Sequence, residues 1–428
     1  MCYKTSLNRI SFAQQTGREI PFEAGPAIDP ALFDTLRLRT IFKYHKWDAQ
    51  VGDTDVLMPF PILLKAPDWQ TLVDLAERLA DETRRAEEEL MDRPSLYQYL
   101  GLPRLLERRL TKLARSWHAP IHAIRVIRFD FHWTTEGWRL SEANTDVPGG
   151  FIEAGGFTRL VAEHYKNACA PPDPAQKIAE IMASSVPDSD VALIHATSYT
   201  DDRQVMMYVA DQLEARGLHV YLGGPDDLAW SNDGAYIQMG RVNQAVRAII
   251  RFFPADWLSR LRSFPVGLFA NPNVLLVNPA TAIFTQSKRF PLTWPMLETR
   301  LPTWQALLPE TYDPRSLTRD EREDWVLKPA WGREGERLHL SGITPALESR
   351  SILAASERNP GGWVAQRRFD VVRIDVDGKS YYPCFGVYTV NGKAAGVYGR
   401  LGRRPLIDGD ARETAVLIET GEPIYGND

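Results

Sequence analysis

The sequence predicts a mixed α/β protein, α+β in arrangement, in which a small parallel sheet with flanking helices accompanies a separate set of antiparallel strands. Between about Ser185 and Pro279, apolar strand patterns alternate with a helical one: "VALIHATSY", then "TDDRQVMMYVADQLEARG" closed by Gly217, then "LHVYLGG", "VRAIIRFF" and "NVLLVNP". Strand, helix, strand at that rhythm implies parallel pairing through a crossover helix. At Arg128–Gly150, "RFDFHWTTEGWRLSEANTDVPGG", and again at "YYPCFGVYTVNGKAAGVYGRLGR", paired apolar runs instead meet at tight turns, Glu136-Gly137 and Asn391-Gly392. Those are antiparallel hairpins.

The remaining elements follow in order. Residues 1–65 are rich in Pro, Phe and Leu without periodicity, and their role is not readable. From Asp68 to Met91, Leu72, Leu75, Leu79 and Ala80 recur at helical spacing, predicting a long amphipathic helix with its charged side chains in water. A second helix is expected from Tyr97 to Trp117, and Phe151–Tyr165 also reads as helical. The segment "PPDPAQK" marks a boundary. Residues 1–184 thus form an N-terminal helical region with the first hairpin, and 185–280 a Rossmann-like subdomain. That subdomain lacks GxGxxG, so dinucleotide binding is not expected. In the last region, 281–428, "DWVLKPA" and "GWVAQRRF" read as strands around the Gly-rich turn "WGREGER".

Composition narrows the function classes. Lys and Arg number 50 against 55 Asp and Glu, a net charge of -5, so no global basic field invites nucleic acid. Cys2, Cys169 and Cys384 have no metal-ligand spacing, and so few cysteines suit a reducing, cytoplasmic setting. No signal peptide and no membrane span are expected. The eight histidines show no ligand spacing and read as packing or surface residues.

Four stretches carry candidate chemistry. Asp130 on one strand, with Glu142 and Asn144 two apart on its neighbour, offers the hard oxygens that magnesium takes beside substrate phosphates. Taken alone, these are equally the solvated acids of an edge hairpin. "VLKPAWGREGERLHL" places Lys328 at a strand end before glycines that permit close backbone approach to phosphates, although GxxxxGK[ST] is absent. Lys288 in "VNPATAIFTQSKRFPLTW" and Arg400 in "AAGVYGRLGR" read individually as a surface lysine and a sheet-edge arginine. Arg400 is also suited to stabilising charge on a transferring phosphoryl group or tetrahedral centre.

Together, and in this order, the motifs resemble the glutathionylspermidine synthase family of circularly permuted ATP-grasp carboxylate–amine ligases, from about Arg125 to Leu417. The resemblance implies an ATP-grasp fold around the antiparallel sheet, with a Rossmann-like pre-ATP-grasp subdomain. It implies ATP and magnesium as cofactors, two ions held by Asp130, Glu142 and Asn144, with Glu142 bridging them. Arg128 would meet the transferred phosphate and acid substrate, and Arg400 the reacting acyl centre. Lys288 and Lys328 would contact the ATP phosphates under a mobile loop of Gly332, Arg333, Glu334 and Gly335. Gln366, Arg367, Arg368 and Phe369 would pass the adenine.

The substrate positions depart from the family. Where it carries acidic residues near a helix start, this sequence reads "TDDRQVMM", with Arg203 and Gln204 replacing a carboxylate pair wholly or in part. Val147 and Gly149 stand where serine or threonine is common. No Cys-His amidase arrangement precedes the synthetase part, so product hydrolysis is not expected. The expectation is therefore an ADP-forming ligase joining a small-molecule or peptide carboxylate to an amine, with substrates other than glutathione and spermidine. An extra cation at Arg203 would suit an acidic group on a substrate; the other reading of Arg203 is a solvent-facing residue in the first turn of a helix. The alternatives are an ATP-binding regulator without turnover and a small-molecule kinase.

Overall fold

The computed structural model describes residues 19–51, 54–114, 123–231, 233–269, 271, 273–318, 321–322, 325–332 and 337–421. Arg333, Glu334 and Gly335 of the expected covering loop lie outside them, as do Cys2 and the expected end of the second helix at Trp117.

A six-stranded antiparallel sheet organises the fold. Its path uses β1 (Val126–Thr134), β2 (Gly137–Asn144), β3 (Lys379–Val390), β4 (Lys393–Gly402) and β5 (Arg412–Thr414), in the order β5-β4-β3-β1-β2, with Ile374–Val376 also paired to β3. Asn391 and Gly392 have φ of 48° and 76°, the left-handed pair that a two-residue hairpin turn requires. All nine residues of β1 are buried because both faces of this strand are covered. On one face Ile127, Phe129 and Phe131 join the core that includes Leu72, Ala76, Leu79 and Leu90 of the long helix α1 (Ala66–Asp92). Each fully buried Phe contributes about 1.5–3 kcal/mol.

Helix α1 matches the expected element, but not all of its acids face water. Glu82 and Glu87 are buried. Glu82 accepts from the backbone N–H groups of Thr303 and Trp304, and Glu87 holds Arg125 and Thr285. Orphan N–H groups and a buried guanidinium overcame the preference of these carboxylates for solvent. The single helix expected over Tyr97–Trp117 is instead a 3-10 segment, Pro94–Tyr99, and an α-helix, Arg104–Ala114. Gly101 at φ 64° and Pro103 break it. Phe151–Tyr165 is helical only through Ala162, and opens with a π-helix, Ile152–Phe157.

The parallel sheet runs in the order His219–Gly223, Asp190–His195, Ala248–Phe252, Leu275–Val277 and Ala123–Ile124, every pairing parallel. Its edge strand, Ala123–Ile124, comes from the segment just before β1, so the chain passes directly from this sheet into the central one. Helix α2 (Thr200–Glu214) supplies the crossover after Asp190–His195. A third sheet places Trp363–Arg367 between Thr311–Tyr312 and Trp325–Pro329, with Lys328 opposite Val364. The N-terminal segment also has a place: Phe22–Ala24 and Ile62–Leu64 form a four-stranded sheet with Val416–Glu419 and Ala168–Cys169. Among the described residues no helix is long and apolar enough to cross a membrane.

Candidate active site

Because Ile127, Phe129 and Phe131 enter the core, Arg128, Asp130 and His132 leave the opposite face of β1. The register sets Asp130 across from Glu142 and Arg128 across from Asn144, with a bulge after Asp130. On its other side Asp130 faces Gly386 of β3. A Cβ there would lie 2.7 Å from Arg128 Cδ and 2.9 Å from Asp130 Oδ1, so glycine lets these side chains lie across the strand.

Asp130 is fully buried and gathers cations. Arg128 donates to it through Nε (2.8 Å) and Nη2 (3.1 Å), Arg400 through Nη2 (2.6 Å), and Asn144 through Nδ2 (3.1 Å). Both guanidinium groups also stand over the Tyr398 ring, at 5.2 and 5.3 Å. Glu142 takes the Lys288 ammonium at 3.0 Å, and Lys288 also donates to the Gly332 carbonyl at 2.8 Å. Burial would raise the Glu142 carboxyl, but Lys288, Lys328 and Arg400 together hold it well below the usual carboxylate range. Lys328 donates to Gln366 Oε1 (2.6 Å) and the Ser141 carbonyl (3.1 Å). Burial, helped by Lys288 and opposed by Glu142, brings Lys328 down to about 8.

These residues surround two cavities that meet. The first is lined by Asp130, Glu142, Lys288, Lys328, Gly332, Gln366, Arg367, Arg368, Phe369 and Arg400, with Val326, Leu338, Leu340, Val371 and Ile407 forming its apolar walls. Gln366 is buried within it, whereas Arg367 reaches away to Glu310. The second, about 660 Å³, is lined by Arg128, Asn144 and, again, Glu142, Gly332 and Arg400. Every proposed site residue among the described ones therefore borders one or both cavities, and Glu142, Gly332 and Arg400 border both.

Residues that the motifs did not reveal complete both cavities. His132 was expected to be a packing or surface residue, yet it lines the first cavity, bridging the Pro383 carbonyl and the Ser141 hydroxyl at 3.1 Å each. Burial brings it down to about 4, so it is neutral at pH 7. The second cavity is acidic. Among the described residues, Asp48, Glu142, Asp146, Glu153, Asp201, Asp202, Asp256, Asp408 and Glu413 line it against Lys46, Arg128 and Arg400. The cation expected there from Arg203 is not among the lining residues: Arg203 is exposed, while Asp201, Asp202, Gln204 and Val205 turn toward the cavity. The helical period carries residue 203 out to water while its neighbours face in. Gln204 acts through the loop beside it, its Oε1 accepting from the backbone N–H of Trp47 at 2.7 Å.

Among the described residues no group of three His, Cys, Asp or Glu side chains could hold an ion. The cluster instead pairs two carboxylates with one amide, whose nitrogen is engaged by Asp130 and whose oxygen is left for another partner. That suits a hard cation that shares its coordination with ligand phosphates and water.

Comparison with known proteins agrees with this architecture. The family described as glutathionylspermidine synthase preATP-grasp matches residues 55–419. No curated protein matches the sequence. Among solved structures, a glutathione synthetase-like effector from Globodera pallida in its apo form aligns with a TM-score of 0.59 at 12% identity, over 92% of this chain and 99% of that one. This likeness shows a shared fold, mixed α/β and ATP-grasp-like. A putative gamma-glutamylcysteine synthetase from Methylobacillus flagellatus aligns at 0.43 and 13% identity, over 79% of this chain and 84% of that one.

Proposed function

The chain belongs to the glutathionylspermidine synthase family of ATP-grasp proteins, and on that premise we propose that it is an ATP-dependent carboxylate–amine ligase. It would form an amide through an acyl phosphate and release ADP and phosphate. One observation carries the reading: a cavity with two lysines and apolar walls abuts a larger acidic one, and Glu142 and Arg400 stand at their junction.

A carboxylate does not condense with an amine in water, because oxide is too poor a leaving group. Phosphorylating the acid makes phosphate the leaving group, at the cost of crowding anions. Lys288 and Lys328 would neutralise the phosphate tail, while Gln366 to Phe369 pass the base. Magnesium, held by Asp130, Glu142 and Asn144, would supply further charge neutralisation and Lewis acidity. Arg128 and Arg400, both over the Tyr398 ring and both bonded to Asp130, would face the acid and the oxyanion of its tetrahedral intermediate. Loop residues Gly332 to Gly335 are proposed to exclude water, which would otherwise hydrolyse the acyl phosphate.

The acidity of the second cavity supports a cationic amine as the nucleophile, and Arg203 has no part in selecting it. On the proposed domain division, 1–184, 185–280 and 281–428, the acidic cavity draws lining residues from all three regions and the lysine-bearing one from the first and third. The decisive experiment follows carboxylate oxygen-18 during turnover. Label is expected in the released phosphate; label confined to the amide and unreacted acid refutes acyl-phosphate formation. ADP release supported by a hydroxyl compound without an amine would favour a kinase.

A further inference from the structure

Lys46, at the start of the loop after Pro30–Tyr44, is 2% exposed and surrounded by three carboxylates. It bonds Asp48 at 3.0 Å, Glu413 at 2.8 Å, and Glu153. One ammonium faces three carboxyl groups, so even with Glu413 protonated the cluster keeps an excess of negative charge. The second oxygen of Glu153, itself 4% exposed, has no hydrogen-bond partner. All four residues line the acidic cavity. A buried acceptor without a donor, in a cluster short of positive charge, is a place for an incoming cationic N–H donor.

The cluster adjoins the reacting centre. Glu413 on β5 is the register partner of Arg400 on β4, so their side chains leave the same face of the sheet as neighbours. Tyr398, two residues before Arg400, donates its hydroxyl to Glu413 Oε1 at 2.8 Å and lies beneath the Arg400 guanidinium.

We propose that Lys46, Asp48, Glu153 and Glu413 form an amine-activating subsite, in which Glu413 takes a proton from the incoming alkylammonium so that the freed nitrogen can attack beside Arg400. The assignment rests on the ligase reading above and adds to it the group that makes the nucleophile. The balance is complete. One ammonium proton passes to Glu413, the nitrogen lone pair forms the C–N bond as the C–O bond to phosphate breaks, and the second nitrogen proton leaves with phosphate.

Chemistry requires such a group. An alkylammonium titrates near 10.4, so only about one molecule in 2,500 is neutral at pH 7. An ordinary carboxylate lies about 6 pH units below it and is a poor match as a base. Burial and Glu153, opposed by Lys46, push the Glu413 carboxyl up to about 8, which narrows the gap to roughly 2.4 units. The charged and titratable groups facing Glu413 are Lys46 and Asp48 from the N-terminal loop, Glu153 from the π-helix, and Tyr398 and Arg400 from β4. Lys46 is the positioning residue, since it draws the carboxylates from three segments together.

Hydroxylamine, uncharged at neutral pH, needs no base and separates the two questions. Full-length protein is assayed with ATP, magnesium and a panel of amino-acid and tripeptide acids, using either hydroxylamine or 1,4-diaminobutane as nucleophile. Glu413→Gln is expected to lower diamine-dependent amide formation about 100-fold or more while hydroxamate formation stays within about 3-fold of the parent. Equal losses in both reactions, or no loss in either, overturn the assignment. Tyr398→Phe removes the hydrogen bond that favours the Glu413 carboxylate, and should move the rise of amide formation to higher pH. An unmoved profile also overturns it. No hydroxamate from the parent protein with any acid refutes the ligase reading itself, and this assignment with it.

Discussion

Asp130→Asn isolates the electrostatics of the centre. The substitution preserves shape, so it opens no cavity, but removes the charge on which Arg128 and Arg400 converge. The structure gives the carboxylate three guanidinium hydrogen bonds, of 2.8, 3.1 and 2.6 Å, on a side chain 1% exposed. Breaking a buried ion pair by neutralising one partner costs about 3–5 kcal/mol, because the other charge stays buried without compensation. Two guanidinium groups are stranded here, so the upper half of that range is expected. Urea unfolding without nucleotide, followed by tryptophan fluorescence, measures it. Repeating Asp130→Asn in an Arg400→Met background should shrink the loss by more than 1 kcal/mol, since one stranded charge is then gone. Asp130→Asn within 1 kcal/mol of the parent, or a loss undiminished by Arg400→Met, refutes the view that Asp130 holds the arginines in place.

Three further outcomes are expected. Lys288→Met should weaken ATP binding about 10- to 100-fold by calorimetry, the value of one charge-assisted bond to phosphate; unchanged affinity would remove Lys288 from the nucleotide cavity. Glu89, which accepts from the backbone N–H groups of Glu298 and Thr299 and pairs with Arg93, is held down to about 2 despite its burial. A depressed carboxylate contributes stability that is complete above its usual 4.5 and lost as pH falls toward 2, so Glu89→Gln should flatten acid denaturation in that window by about 1 kcal/mol, the shift being screened by solvent around a partly buried group. Arg203→Ala should leave the amine KM unchanged while Asp201→Asn raises it several-fold, and the reverse pattern would return the cation to the pocket.

The parts of the site legible in the sequence are those where neighbouring residues share a strand. Asp130 facing Glu142 and Asn144 follows from period-two alternation on two short strands joined by a tight turn, and the Asn391-Gly392 hairpin from its turn chemistry. His132 escaped because a lone histidine on an apolar strand usually packs, and no spacing marks it. Glu82 and Glu87 were misjudged because a helical wheel shows which side a residue leaves, not that Thr303 and Arg125 will arrive there. For Arg203 the sequence leaves two readings, a cation in the pocket or a solvent-facing residue of the first helical turn, and its exposure favours the second. The amphipathic pattern of α2 fixes which face meets the sheet, but the flanking residues divide between water and the cavity by angles of about 100° per residue.

The acidic cavity was illegible for a different reason, which bears on how specificity is built. Its base-bearing cluster joins position 46, position 153 and position 413, three segments with no local pattern in common. The N-terminal stretch that looked featureless supplies Lys46 and Asp48, and a strand of that stretch, Ile62–Leu64, is locked to the C-terminal strand Val416–Glu419 just beyond Glu413. Glu153 sits on the π-helix, with Gly155 and Gly156 packed so closely that a Cβ would come within 2.4 Å of Asp173 and 2.7 Å of Tyr44. In the lysine-bearing cavity, strand periodicity places Asp130, Glu142, Lys328, Gln366 and Arg400, while Lys288 comes from a turn. The acidic cavity is held by long-range closure around one buried lysine. Substitutions among its carboxylates can therefore alter the acidic cavity while Lys288 and Lys328 keep their geometry, and on the proposed reading this is how the nucleophile could change without disturbing the nucleotide.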